Sequence, residues 1–425
     1  MPPGPKRICL VSSLHLSYNP RLLKEADALS EAGYGVRVVA MDLEPAKASW
    51  DQRLMSSRRW RLETLNARRD NLAGRFTWLK GGLRQRLHQR SAWLRARGTG
   101  REQALCRHFP EMCRLAGHEP ADLFIGHNLE ALPVAASAAR RWGAKLGFDA
   151  EDFHRGEISE NDAARAPLRN LIIGIEQAYI PRCDYLSAAS DGIGEAYAQA
   201  LGAPKPVTIL NVFPLSDRAG RTPLDELQQE RPEPGLSLYW YSQVIGGDRG
   251  LHDVLKALAA LPAGFHLRLR GAWARGYEGA FRKAVRALGV ERRVHALPPA
   301  PPEQLIERAA QHDVGLALEP GNRPNNCLAA SNKLFAYFLA GLAVAATDVP
   351  GQRAVLEAAP EAGFLFKPGD ADALGRNLRR WFDSPTTLHA VKERSRSYGE
   401  AQFCWDREKM KLVAAVESAV RPEAS

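Results

Sequence analysis

No run of 18 uncharged apolar residues occurs in this 425-residue chain, so no segment reads as a membrane-spanning helix. The six cysteines, Cys9, Cys106, Cys113, Cys183, Cys327 and Cys404, lie scattered without a CxxC pair. Zinc and dithiol redox motifs are therefore absent, and reduced, buried thiols in a cytosolic protein are expected. The apolar run before Ser12 is too short for a secretory signal. GxGxxG is missing, and with it the usual dinucleotide fingerprint. Acids are scarce in one place. Between Arg53 and Arg101 there are 14 Lys and Arg against two acids, Glu63 and Asp70. The net charge of the whole chain is +10, so everything outside that segment is close to neutral.

What is present reads as globular. The chain is 45% apolar and 25% charged, ordinary values for a packed protein. Its length exceeds a single core and predicts two domains of roughly 200 residues each. Near the N-terminus RICLVSS reads as a strand, and Asn19-Pro20 opens a helix. Asn is a good N-cap and Pro suits the first helical position. Leu22, Leu23, Ala26 and Leu29 share a face, Gly33 ends the helix, and GVRVVAMD is a second strand. Further strand and helix segments alternate through DLFIGHN, KLGFDAED, DYLSAAS and PVTILN. Strands joined by helices cross over right-handedly and give a doubly wound parallel sheet. The polar, Pro-bearing run 214–235 is expected to be a linker. A second alternation starts at LSLYWYS and continues through FHLRLRG, RVHAL, DVGLAL, LAVAATD and GFLF. The fold class expected is α/β, with two Rossmann-like domains: 1–213, carrying a basic helical insertion at about 50–103, and 236–398. Residues 399–425 form an amphipathic closing helix expected to pack on the first domain.

His312 to Gly351 is the most telling stretch. A buried strand ends at Glu319, a loop rich in Pro, Asn and Gly follows, and Ser331-Asn332-Lys333 opens a helix that Gly341 closes. Open α/β sheets hold phosphate-bearing ligands on such loops. The first helical amides lack internal partners, and the dipole adds about half a positive charge.

Several segments then resemble glycosyltransferase family 4. SNKLFAYFLAGLAVAATDVPG is similar to that family's helix start followed by an AGLPVV-like strand. YSQVIGGDRGL resembles its strand, loop and basic-Gly element. GHNLEALPVA, FDAEDFH and YLSAASDGI resemble landmarks of its first domain. The resemblance runs from about Ile8 to Trp405. It implies the GT-B architecture and transfer of a sugar from a nucleotide-sugar donor to a glycan or lipid-linked acceptor. It also implies retained anomeric configuration and no metal or other cofactor. The donor belongs on the second domain and the acceptor on the first, which implies a role near the donor sugar for His127. Two departures stand out. The family's two Glu residues, eight positions apart, are replaced by Leu328 and Ala336, and Gln243 stands where Arg is common. A non-catalytic GT-B binding protein and a sugar-nucleotide epimerase are the alternative readings.

Such a transfer must stabilise a diphosphate gaining negative charge. Candidates for that are Arg249, Lys333, and Arg268 or Arg270. Alternation along the strand is taken to send only one of the last two inward. Gly246, Gly247 and Gly250 would let the backbone approach a ligand, and Glu319, Ser331 and Asn332 lie beside it. Glu151 and Asp152 could orient or deprotonate the acceptor hydroxyl. Asn19 and Arg21 lie beyond the first strand, on the acceptor side. The basic segment interleaves Arg with Trp60, Phe76, Trp78 and Trp93. That composition suits a helical pair on an anionic membrane surface, placing the protein peripherally on the cytoplasmic face. A nucleic-acid patch and a plain solvated insertion are the rivals, and no nucleic-acid partner is expected.

Overall fold

A computed structural model of the chain describes residues 5–95, 98–219, 222–228, 230–231 and 234–421. The chain divides into two compact units, Met1–Ile209 with Lys409–Ser425, and Leu210–Glu408.

The first unit is built on seven strands: β1 (Arg7–Ser12), β2 (Gly35–Asp42), β3 (Arg61–Asn66), β4 (Leu123–His127), β5 (Lys145–Ala150), β6 (Tyr185–Ala188) and β7 (Val207–Thr208). Their order is β3-β2-β1-β4-β5-β6-β7, with parallel pairing. β1, β2 and β4 are mainly apolar and almost wholly buried, as expected of strands covered on both sides by helices. The Pro20–Glu31 helix forms where its signals place it. Asn19 accepts the Leu22 amide at 2.9 Å, and Leu22, Ala26 and Leu29 are buried. From Lys409 onward the closing helix, Trp405–Val420, belongs to this unit. Leu412 and Val416 are buried, and Lys409 pairs with Glu31 at 3.1 Å.

The second unit has six strands: β8 (Leu236–Ile245), β9 (Phe265–Trp273), β10 (Val294–Leu297), β11 (Val314–Ala317), β12 (Ala343–Thr347) and β13 (Gly363–Phe366). Their order is β10-β9-β8-β11-β12-β13, again parallel. Leu238, Trp240, Leu267, Leu316 and Ala345 meet Val254, Leu258, Phe281 and Leu378 in one apolar core. The Asn332–Ala340 helix stops where Gly341 takes φ 73°, as its sequence signals.

Two expectations need correction. The run 214–235 is not a free linker. It holds a short turn of helix at Leu215–Arg218 and a helix at Leu224–Gln228, while residues 220, 221, 229, 232 and 233 lie outside the described residues. Thr222 donates its amide to Glu307 at 2.8 Å, and buried Glu230 bonds Arg270 and Arg308. Its polar residues are counter-ions for the second unit. Nor is the basic insertion wholly helical. Arg61–Asn66 adds β3 to the sheet edge, and buried Trp60 donates to Asp27 at 2.8 Å. Residues 96–97 of that segment lie outside the described residues.

Candidate functional site

Strand order fixes where a ligand can sit in each unit. In the second, chain progression runs β8→β9→β10 one way and β11→β12→β13 the other. The reversal falls between β8 and β11, and in open α/β sheets the crevice beyond the strand ends at that point takes the ligand. The loop after β8 is Gly246–Gly250, and Glu319 follows β11 by two residues. The two loops touch. A Cβ on Gly250 would stand 3.0 Å from Leu318 Cβ, and Gly250 has φ +67°, so glycine serves both backbone and space. Gly246 and Gly247 have no such demand. A Cβ there would meet only ordinary contacts at 3.7 and 3.5 Å, so neither position requires glycine for space.

Arg249 stands near the end of the first of these loops, and Lys333 lies in the first turn of the helix after the second. Neither has a hydrogen bond or ion pair among the described residues, and both are half-buried. Burial pushes the Lys333 ammonium below its ordinary value, Glu319 opposes that, and Arg249 adds to it. The two cations are therefore within electrostatic reach of each other. Lys333 Nζ also lies 5.9 Å from the Trp240 ring centroid, at the outer range of a cation–π contact. Helices begin beside both, at Leu251 and at Asn332. Asn332 is exposed, and Ser331 makes no side-chain capping bond. The Glu319 amide donates to Thr347 Oγ1 at 2.8 Å, which Gln352 Nε2 also bonds at 2.7 Å. That buried pair fixes the end of β11. Arg323, not singled out by the sequence, bonds Asp248 at 3.1 Å across the two loops. It thus has a contact ion pair, which Arg249 and Lys333 lack among the described residues.

Arg268 and Arg270 do not join them. Being two residues apart they share one face of β9, so the expectation that only one points inward is wrong. Both are buried. Arg268 bonds Ser237 at 3.1 Å. Arg270 bonds Tyr239 at 2.9 Å, the Pro298 carbonyl at 2.7 Å and the Glu230 carboxylate. Arg270 ties the sheet to Glu230 of the 214–235 segment and Arg268 ties β9 to Ser237 of β8, so neither guanidinium is placed to hold a phosphate.

In the first unit the reversal falls between β1 and β4. Ser13 donates to Asn128 Oδ1 at 3.0 Å across it. Asn128 has φ 72°, alone among the described non-glycine residues in a positive conformation, strain of the kind that gathers at functional sites. Half-buried Glu130 has its carboxyl pushed up by burial, with Ser13 and His154 opposing. The sequence reading passed over Ser13, Asn128 and Glu130. Only the Asn, a residue tolerant of left-handed backbone, offered a signal. Glu151, just past β5, is also half-buried and pushed up, by burial and then by Asp152. The Asp152 carbonyl accepts the Tyr197 hydroxyl at 3.2 Å.

His127 and Arg21 are enclosed. Arg21 bonds both Asp149 oxygens at 2.7 Å and the Ile209 carbonyl at 2.7 Å. Glu25 lies 3.3 Å from it. His127 stands 3.4 Å from both Glu25 and Asp149, and Ser187 donates to Asp149 at 2.7 Å. All five residues are buried. Burial and Asp149 push Glu25 up to about 7. Burial opposes charge on His127, yet Glu25 and Asp149 raise it above its ordinary value. Asp149 is driven far down, because Arg21 and His127 outweigh burial. The donor atoms of Glu25, His127 and Asp149 converge closely enough for a metal, but Arg21 already supplies the cation. Arg21 is thus withdrawn as an acceptor ligand, having no exposed surface. Asn19 is spent as the N-cap, and His127 is a member of a buried ion cluster.

Two doubly wound parallel sheets of this order define the fold of the GT-B glycosyltransferases, and this chain has it. HepE from Anabaena, solved with UDP and glucose, matches with a TM-score of 0.72 at 16% identity, covering 97% of this chain and 100% of that one. Sucrose-phosphate synthase from Thermosynechococcus elongatus matches at 0.72 and 16%, covering 97% and 98%. WaaG, a glycosyltransferase involved in lipopolysaccharide biosynthesis, matches at 0.63 and 15%, covering 96% and 99%. No protein-family profile matches the chain, and no curated protein matches it in sequence.

Proposed function

We propose that the protein is a glycosyltransferase that takes a sugar from a nucleotide-sugar donor, whose diphosphate is held at the β8–β11 crevice by Arg249, Lys333 and the amides opening the helices at Leu251 and Asn332. One observation carries the reading. Two cations within electrostatic reach of each other, with Glu319 acting on Lys333 but no ion pair or hydrogen bond to either among the described residues, stand at the topological switch point of a parallel sheet. Like charges so placed repel, and a diphosphate relieves the repulsion. Each charge-assisted bond to it contributes roughly 1.5–3 kcal/mol. As the glycosidic bond breaks, the leaving diphosphate gains charge and those bonds strengthen, which lowers the barrier. This arrangement asks for no divalent cation, so turnover should survive EDTA. The acceptor expected is a glycan or a lipid-linked glycan, with retained configuration, and Glu151 and Glu130, both raised carboxyls in the first unit, are the candidate acceptor-side groups. HepE has been solved with UDP and with UDP-glucose, so UDP-sugars head the panel to be tested. In thermal melting with UDP-, ADP- and GDP-sugars, at least one should raise the midpoint, and Lys333→Ala should abolish the rise. A panel without effect would refute the reading.

A second reading, a non-catalytic nucleotide-sugar binder, is favoured by Leu328 and Ala336. Ala336 is wholly buried in the second unit's core, so no carboxylate reaches a ribose from there. Donor protection without hydrolysis or transfer to any acceptor would select it.

A further inference from the structure

The Leu72–Arg90 helix is turned inside out. Its inward side is glycine. A Cβ at Gly81 would stand 2.7 Å from His108 Nδ1, and at Gly82 it would run into the Arg107 guanidinium. Only glycine allows so close an approach. Arg84 pins the same side to Glu111 at 3.1 Å, and Gln85 bonds the Leu105 carbonyl at 2.9 Å. The outward side carries Leu72, Phe76, Leu79, Leu83 and Leu87, between 52% and 84% exposed. Their spacing puts them on one stripe four turns long. Exposed Arg75, Lys80, Arg86 and Arg90 flank it, and the helix bears no acid.

A water-facing helix has no use for such a stripe. We propose that this helix lies in the interface of an anionic lipid bilayer, with the Leu72–Leu87 stripe among the acyl chains and the flanking cations at the headgroups. Charge decides between occupants. A second copy docked on the same face would bring acid-free cationic helices against each other, whereas anionic lipid complements them. Trp60, expected from its position to take part, is excluded because it is buried and bonded to Asp27. The proposal narrows the membrane reading of the whole 53–101 segment to one helix, and it rests on the reading that the acceptor is lipid-borne only for its purpose, not for its test.

Co-sedimentation with vesicles of phosphatidylcholine alone and of phosphatidylcholine with one quarter phosphatidylglycerol tests it. The full chain should partition at least tenfold more strongly onto the anionic vesicles. The triple variant Phe76→Gln, Leu79→Gln, Leu83→Gln should lose at least tenfold, with its melting midpoint unchanged because these side chains already face water. Nucleotide-sugar protection in that variant should equal the wild type, so failure here and failure of the donor site read out separately. Equal partitioning of wild type and variant, or no partitioning of the wild type, would overturn the proposal. So would a wild-type dimer that the variant converts to monomer without any lipid effect.

Discussion

Arg268–Arg270 and Arg249–Lys333 are two pairs of cations in one unit, with opposite fates. Arg268 and Arg270 lie mid-strand, buried, against Ser237, Tyr239 and Glu230. Arg249 and Lys333 lie past strand ends, half-buried, without an ion-pair partner among the described residues. Buried charge must be matched or it unfolds the protein. Unmatched charge persists only where water or a ligand reaches it. The counter-ion, not the cation, therefore separates scaffold from site. The first unit repeats the lesson, for Arg21 looks like a ligand in sequence and is a buried strut in space.

The largest effect expected is on the struts. Arg21→Ala removes both guanidinium bonds to buried Asp149 and leaves His127 alone to face two carboxyl groups, which should cost about 3–5 kcal/mol in urea unfolding. A loss below 1 kcal/mol would erase the distinction between the two kinds of cation. Arg249→Ala and Lys333→Ala, by contrast, should leave stability within about 0.5 kcal/mol while lowering turnover roughly tenfold to a hundredfold, as one lost charge-assisted bond implies. Unimpaired turnover in both would remove them from the site.

Titration sharpens the contrast further. Glu25 and His127 have folded values raised above their ordinary 4.5 and 6.5. The folded protein thus holds more protons than the unfolded chain from about pH 4.5 to above 6.5, and stability should fall as pH rises through that window, by about 1.4 kcal/mol per pH unit per proton. Asp149 acts oppositely. Its value is depressed below 3.8, so its contribution is present above that pH and is lost in stronger acid. Urea midpoints at pH 5 and pH 8 should differ in the wild type and differ less in Glu25→Gln. A pH-independent wild type would contradict the protonation assigned to the cluster. The smallest effect belongs to Asp248→Ala. It frees the exposed Arg323 and should change stability by less than about 1 kcal/mol, while tightening anion binding at the crevice. Weaker anion binding would give Asp248 a role of its own.

Local pattern made much of this legible. The β1–helix–β2 unit, the Asn19 cap and the helix running from Ser331 to Gly341 stand where short-range signals place them. The same signals carry the placement of Arg249 and Lys333, since each sits near the start of a helix that follows a strand and loop. What stayed hidden are partners distant in sequence. Asp149 lies 128 residues from Arg21, and Glu230 lies 40 from Arg270 in a segment that reads as a linker. Nothing local tells a half-exposed cation from one so matched. The edge strand Arg61–Asn66 was masked for a related reason. Its half-exposed, charged residues carry none of the apolar signal of β1 or β2. Asn128 and Glu130 passed unnoticed because a strained backbone and a desolvated carboxyl are products of the fold.

The central claim is that Arg249 and Lys333 await a diphosphate, and calorimetric titration with UDP, ADP and GDP tests it most directly. At least one should bind the wild type, and the double variant Arg249→Ala, Lys333→Ala should bind it at least a hundredfold more weakly at an unchanged melting midpoint. Equal affinity in the double variant, or no binding by the wild type, would contradict the account.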